Sequence, residues 1–138
     1  MKAHEIMHAG ARCVGEQENL RTAARMMRDM GVGSLPICGR DDRLHGMLTD
    51  RDIVMHCCAE GRDPAEMTAG ELARGTPHWV DAEAEAADVL AMMERHRVRR
   101  LPVIDRHRLV GIISEADLAR NVSDEQLAHF VESVCAAR

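Results

Sequence analysis

Aromatic side chains are almost missing from this chain: one Trp, one Phe and no Tyr in 138 residues. Platforms on which bases could stack are therefore nearly absent, which argues against a single-stranded nucleic-acid binder. An excess of positive charge is missing too. Eighteen Lys and Arg against 23 Asp and Glu leave a net charge of −5, whereas a nucleic-acid partner requires a basic face. No apolar run approaches the roughly 20 residues that cross a bilayer. The N-terminus, Met1 to His8, carries no hydrophobic leader region, so the expected location is the cytoplasm.

Metal and catalytic signatures are lacking as well. The five cysteines, Cys13, Cys38, Cys57, Cys58 and Cys135, never fall in a Cys-x-x-Cys spacing, which weakens a zinc or thioredoxin-like reading. Their odd number without a leader fits mostly reduced thiols. The eight His form no His-Glu-x-x-His pattern, and no nucleophile stands with a base and an orienting group. The chain reads as non-enzymatic, with no metal site and no required cofactor.

What is present is a soluble globular composition, 46% hydrophobic and 30% charged, with ten Met to fill irregular gaps in an aliphatic core. Two stretches organise it. Arg43 to Ile53 runs Arg-Leu-His-Gly-Met-Leu-Thr-Asp-Arg-Asp-Ile, and Arg108 to Leu118 runs Arg-Leu-Val-Gly-Ile-Ile-Ser-Glu-Ala-Asp-Leu. The likeness extends outward. Ile6 and Leu72, Val14 and Val80, Met26 and Met92, Val32 and Val98, and Pro36 and Pro102 all stand 66 positions apart. From Gly46 and Gly111 onward the offset is 65, so one turn is a residue shorter in the second copy. This is a tandem duplication, with residues 1–66 as the first repeat, 67–122 as the second, and 123–138 as a C-terminal helix opened by Ser123-Asp-Glu-Gln126.

Each repeat reads as β-α-β-β-α, an α+β fold. A short helical piece (3–8; 69–73) precedes an extended segment (12–14; 78–80). An amphipathic helix follows, with Leu20, Ala23, Ala24, Met27 and Met30 at helical spacing in the first copy. Gly31 is placed to end that helix in a left-handed cap. Two strands come next, 34–38 and 44–48, copied at 100–104 and 109–113. Pro36 and Pro102 interrupt strand patterns and are therefore expected at strand starts or edges. A last helix begins at Thr49 or Ser114. There a hydroxyl, free N–H groups and the carboxylate of Asp52 or Asp117 meet, which serves a helix cap, an anion or ligand site, or both.

This order, with Leu-Pro-Ile and Leu-Pro-Val on the second strands and two Gly-x-x-(Thr/Ser)-x-x-Asp runs, resembles a tandem pair of CBS domains, the Bateman module. Among stand-alone pairs it is similar to the hypoxic response type, through Ile-Cys-Gly followed by Asp-Asp-Arg-Leu-His-Gly-Met-Leu-Thr-Asp-Arg-Asp-Ile-Val. The resemblance implies a regulatory module whose repeats pack about a pseudo-two-fold axis, paired into a homodimer. It also implies an adenosine-containing ligand, AMP, ATP, NAD or S-adenosylmethionine, in the cleft between repeats. Thr49, Asp52, Ser114 and Asp117 then hold ribose and phosphate. Arg99 and Arg100, which replace Gly33 and Ser34 of the first copy, suit a phosphate, so the ligand is expected first beside Asp117. Val80, Val103 and Ile112 are candidate aliphatic lining for adenine. Cys13 and Cys38 fall on neighbouring strands in such a fold, and with the resemblance this implies a disulfide. The other implied reading is a stress-associated interaction protein whose nucleotide clefts stay empty.

Overall fold

The computed structural model describes residues 1–73 and 77–136. The chain divides into two compact units, one of Arg12–Pro77 and one of Met1–Ala11 with His78–Arg138. The expected C-terminal segment 123–138 extends past the described residues at positions 137 and 138.

In the first of these units, β2 (Val14–Gly15) runs parallel to β3 (Ser34–Cys38), and β3 is antiparallel to β4 (Leu44–Thr49). Helix α2 (Leu20–Met30) starts where the Asn19 side chain accepts the Thr22 N–H, and ends at Gly31 with φ 67°. The cap expected at Gly31 is therefore present. Leu20, Ala23 and Met27 turn inward to Val14, Leu35, Ile37 and Leu48, all buried. Helix α3 (Asp50–Ile53) passes directly into a π-helical turn, Val54–Cys58, in which the Ala59 N–H reaches back five residues to the Val54 carbonyl at 2.8 Å. Cys57 is buried there and its thiol donates to the Arg62 carbonyl at 3.3 Å, so burial pushes its pKa up. A 3-10 turn, Ala69–Leu72, takes the place of the helical piece expected at 69–73.

The second unit repeats this plan with β5 (Val80–Asp81), α4 (Ala86–His96), β6 (Arg100–Asp105), β7 (Arg108–Ser114) and α5 (Glu115–Asn121), and adds α6 (Asp124–Cys135). Its sheet has a fourth strand that periodicity did not reveal. The expected helix 3–8 is shorter, α1 (Ala3–Ile6), and the chain then forms β1 (His8–Ala9) against β7. The sheet order is β1-β7-β6-β5. Sequence repeat and compact unit are thus different divisions: α1 and β1 belong to the first repeat in sequence but pack in the unit of the second. The exchange explains Gly111. A Cβ there would meet the side chain of Met7 and lie 2.8 Å from the His8 carbonyl, so only glycine lets β1 approach. At Gly46 a Cβ would sit 3.0 Å from that of Ala73.

The prolines correct an expectation. Pro36 and Pro102 lie inside β3 and β6, which are central strands in their sheets, rather than at strand starts or on edge strands. They are tolerated because β2 pairs only with Ile37 and Cys38, and β5 only with Val103 and Ile104. At each Pro the strand has a neighbour on one side alone, so the missing N–H costs no ladder bond on the other side.

Candidate functional site

Both copies of the hydroxyl–carboxylate motif form reciprocal helix caps. At α3 the Thr49 hydroxyl accepts the Asp52 N–H at 3.0 Å, and Asp52 Oδ2 accepts the Thr49 N–H at 3.0 Å. At α5, Asp117 Oδ2 accepts both the Ser114 N–H at 2.9 Å and its hydroxyl at 3.0 Å. The Ser114 oxygen accepts in turn from the Asp117 N–H at 3.4 Å. Each box satisfies orphan donors of a helix start, which is why Thr or Ser must stand three residues before Asp.

The copies differ around this shared core. Asp52 is half-buried, and among the described residues nothing bonds its Oδ1. Asp117 is only 5% exposed, and its Oδ1 accepts Arg120 Nη2 at 2.9 Å. Arg120 was not singled out from the sequence, although its i,i+3 spacing from Asp117 is a legible signal. The residue at its place in the first copy is Met55, half in solvent.

The arginines are placed as follows. Arg100 opens β6 and lies directly across from Ser114 in the β6–β7 register, exposed to solvent. Arg99 is drawn to Glu115 at 3.3 Å, the first residue of α5. Ser114, Asp117, Arg99 and Arg100 are therefore gathered around one strand-to-helix junction, with Arg120 added. The aliphatic candidates are placed differently. Val80 and Val103 face each other in the parallel β5–β6 register and are packed in the core, 5% and 0% exposed. Ile112 is half-buried on β7, opposite His8 of β1.

Cys13 and Cys38 are joined in a disulfide, with their Cα atoms 5.6 Å apart and the residues 25 positions apart in sequence. Cys57 is a buried free thiol, whereas Cys58 and Cys135 are exposed ones. Among the described residues no group of three or more His, Cys, Asp or Glu side chains is arranged to hold a metal ion. No helix among them is long and apolar enough to cross a membrane. A shallow groove of about 440 Å³ beside α2 and α3 is lined by Ala24, Met27, Val32, Ile53 and Val54, with Arg28 and Asp50 at its edge.

Comparison with known proteins gives one consistent family. The CBS-domain family model matches residues 3–58 and 69–124. Hypoxic response protein 1 of Mycobacterium tuberculosis is 56% identical over 133 residues, covering 96% of this chain and 93% of that protein. The CBS domain-containing protein YhcV of Bacillus subtilis is 35% identical, covering 83% and 81%. Among solved structures, Hypoxic Response Protein I, described with two coordinated zinc ions, superposes with a TM-score of 0.82 at 57% identity. That match covers 89% of this chain and all of the other.

Proposed function

Because the chain belongs to the CBS-domain family, with two such domains in tandem, we propose that it is a non-enzymatic regulatory module that binds an adenosine-containing nucleotide and works as a homodimer in the cytoplasm. The observation that carries this reading is the junction of β7 and α5. A buried carboxylate, Asp117, sits one helical turn from a hydroxyl, with Arg99 and Arg100 beside it. A carboxylate can accept both hydroxyls of a ribose diol, and a guanidinium fork suits phosphate. Arg99 must leave Glu115 to take part, a part-exposed pair whose loss costs about 1 kcal/mol or less. Thr49 and Asp52 offer the same hydroxyl and carboxylate without the arginines. A ligand regulates only by binding one arrangement of the protein better than another.

Isothermal titration with AMP, ATP, NAD and S-adenosylmethionine tests the reading. Binding tighter than millimolar by at least one of them, weakened by Asp117→Ala, is the expected result; no binding by any of the four overturns it. The dimer rests on a separate feature. Val32 and Val54 expose apolar side chains in the groove beside α2 and α3, and Met30 of α2 and Met55 of the π-helical turn are exposed as well, a concentration of apolar side chains that a second copy would cover. Light scattering at micromolar concentration should give twice the chain mass.

A second reading is favoured by the disulfide: a stress-associated interaction protein with empty nucleotide clefts, stapled for durability rather than switching. Nucleotide released on denaturing the purified protein, or a thermal shift with AMP, separates the two. The two zinc ions named for the solved relative are a property of that protein and enter neither reading.

A further inference from the structure

The two half-sites share one cap, and at the carboxylate itself they differ in one charged contact. Asp117 and Ser34 are the buried polar residues of the described chain. A carboxylate withdrawn from water needs its oxygens satisfied. Oδ2 of Asp117 is satisfied by Ser114, through its N–H and its hydroxyl. Oδ1 is satisfied by the Arg120 guanidinium. A ribose diol would offer two O–H donors to that same carboxylate, and three donors are already in place. Oδ1 is therefore where diol and guanidinium compete. Arg120 can yield, because its side chain is 66% exposed while that of Asp117 is 7% exposed. Its guanidinium can swing into water, whereas the carboxylate cannot follow it. At Asp52 no such competitor is in place, since Met55 stands at the position of Arg120 and carries no donor.

We propose that Arg120 is an internal competitor for the ribose diol, a positioning residue that sets how tightly the Asp117 half-site takes a ligand relative to the Asp52 half-site. This inference rests on the nucleotide reading of Asp117 and adds its regulation. The guanidinium keeps the buried carboxylate satisfied when no ligand is bound and raises the cost of binding one. Its effect depends on the diol, so a ligand without hydroxyls at the 2′ and 3′ positions does not sense it. Removing the arginine should tighten diol binding at Asp117, and adding one at position 55 should weaken it at Asp52.

Calorimetric titration of the full chain with adenosine, AMP and 2′,3′-dideoxyadenosine decides the matter, using wild type, Arg120→Met and Met55→Arg. The expected result is that Arg120→Met binds adenosine and AMP about fivefold tighter, the worth of one exposed ion pair. Affinity for the dideoxy compound should be unchanged. Met55→Arg should lower adenosine affinity by a similar factor. Arg120→Lys, which keeps the charge without the planar fork, should fall between wild type and Arg120→Met. A melting curve for each variant confirms folding, which two exposed positions are expected to permit. If ligands bind but Arg120→Met binds no tighter, or tightens the dideoxy compound equally, this inference falls and the nucleotide reading stands. If neither wild type nor any variant takes up adenosine or AMP, both fall together.

Discussion

Equivalent positions in the two repeats carry different residues under the same backbone demand, and Gly31 and Arg97 show the consequence. Both terminate their helix in the left-handed region, at φ 67° and φ 53°. A side chain there costs roughly 1–2 kcal/mol, partly offset by the roughly 0.5–1 kcal/mol that glycine loses in ordering. A Cβ on Gly31 would meet nothing within 4 Å, so the backbone alone decides the outcome. Gly31→Ala should lower stability by about 1 kcal/mol and Arg97→Gly should raise it by up to about 1 kcal/mol. Urea unfolding of the two variants measures both; a destabilised Arg97→Gly would mean that the arginine makes a contact outweighing its strain. The caps follow similar reasoning. Ser114→Ala should cost at least the usual ~1 kcal/mol of a lost N-cap, because it also removes a hydroxyl donor from the buried Asp117. Thr49→Ala, beside a half-buried Asp52, should cost less by the same assay.

Helix α6 shows how an added element is secured. Phe130, fully buried, and Val134 pack with Val89, Leu90, Met93 and Leu118 of the same unit. Phe130→Ala should cost about 3–5 kcal/mol through lost burial and the cavity left behind. Amide exchange should then rise across Asp124–Cys135 before other helices open. The same helix carries a pH dependence. His129 Nδ1 lies 3.0 Å from Glu94 Oε1 on α4, and this carboxylate raises the imidazole pKa above its ordinary value. Folding thus favours the protonated ring. The added stability is fully present below the unfolded value near 6.5 and is lost as pH rises through the higher folded value. His96 acts in the opposite sense. Desolvation first, then His78 stacked on it at 3.7 Å, lowers its pKa, so acid works against folding there. His129→Gln should therefore make the chain lose more stability, relative to wild type, at pH 6 than at pH 8. Equal losses at both values in urea titrations would remove the assignment.

For the molecule as a whole, the staple and the ligand make separate demands. The Cys13–Cys38 bond closes a 25-residue separation within Arg12–Pro77. Chain-entropy reasoning values such a loop at about 3.5 kcal/mol. Cys13→Ser should lower the denaturation midpoint accordingly and leave it insensitive to reductant, whereas wild type should drop to the variant's value when reduced. A nucleotide at one hundred times its dissociation constant should add about 2.7 kcal/mol to either redox form. A shift confined to the oxidised form would tie the clefts to the disulfide.

Much of this was legible before any coordinates, and what was legible is local. The duplication, the amphipathic helices, the cap at Gly31, and the Thr49–Asp52 and Ser114–Asp117 boxes rest on contacts three or four residues apart, which spacing alone imposes. The exceptions involve partners distant in the chain or a choice among near neighbours. Strand β1 was hidden because two residues carry no periodicity and its partner β7 lies a hundred positions away. The prolines were misplaced because a central strand can have one neighbour at one residue and two at the next. Val80 and Val103, read as lining, are core, because which face of a buried strand meets solvent depends on what packs over it. Arg120 was within reach of an i,i+3 rule, yet only the fold shows that it, rather than solvent, holds the second oxygen of Asp117. Composition and spacing determined that this is a duplicated α+β chain with two capped half-sites. The arginines beside Ser114 already set the second half-site apart in the sequence; packing decided that its carboxylate is withdrawn from water and held by Arg120, because burial makes its choice of partner count.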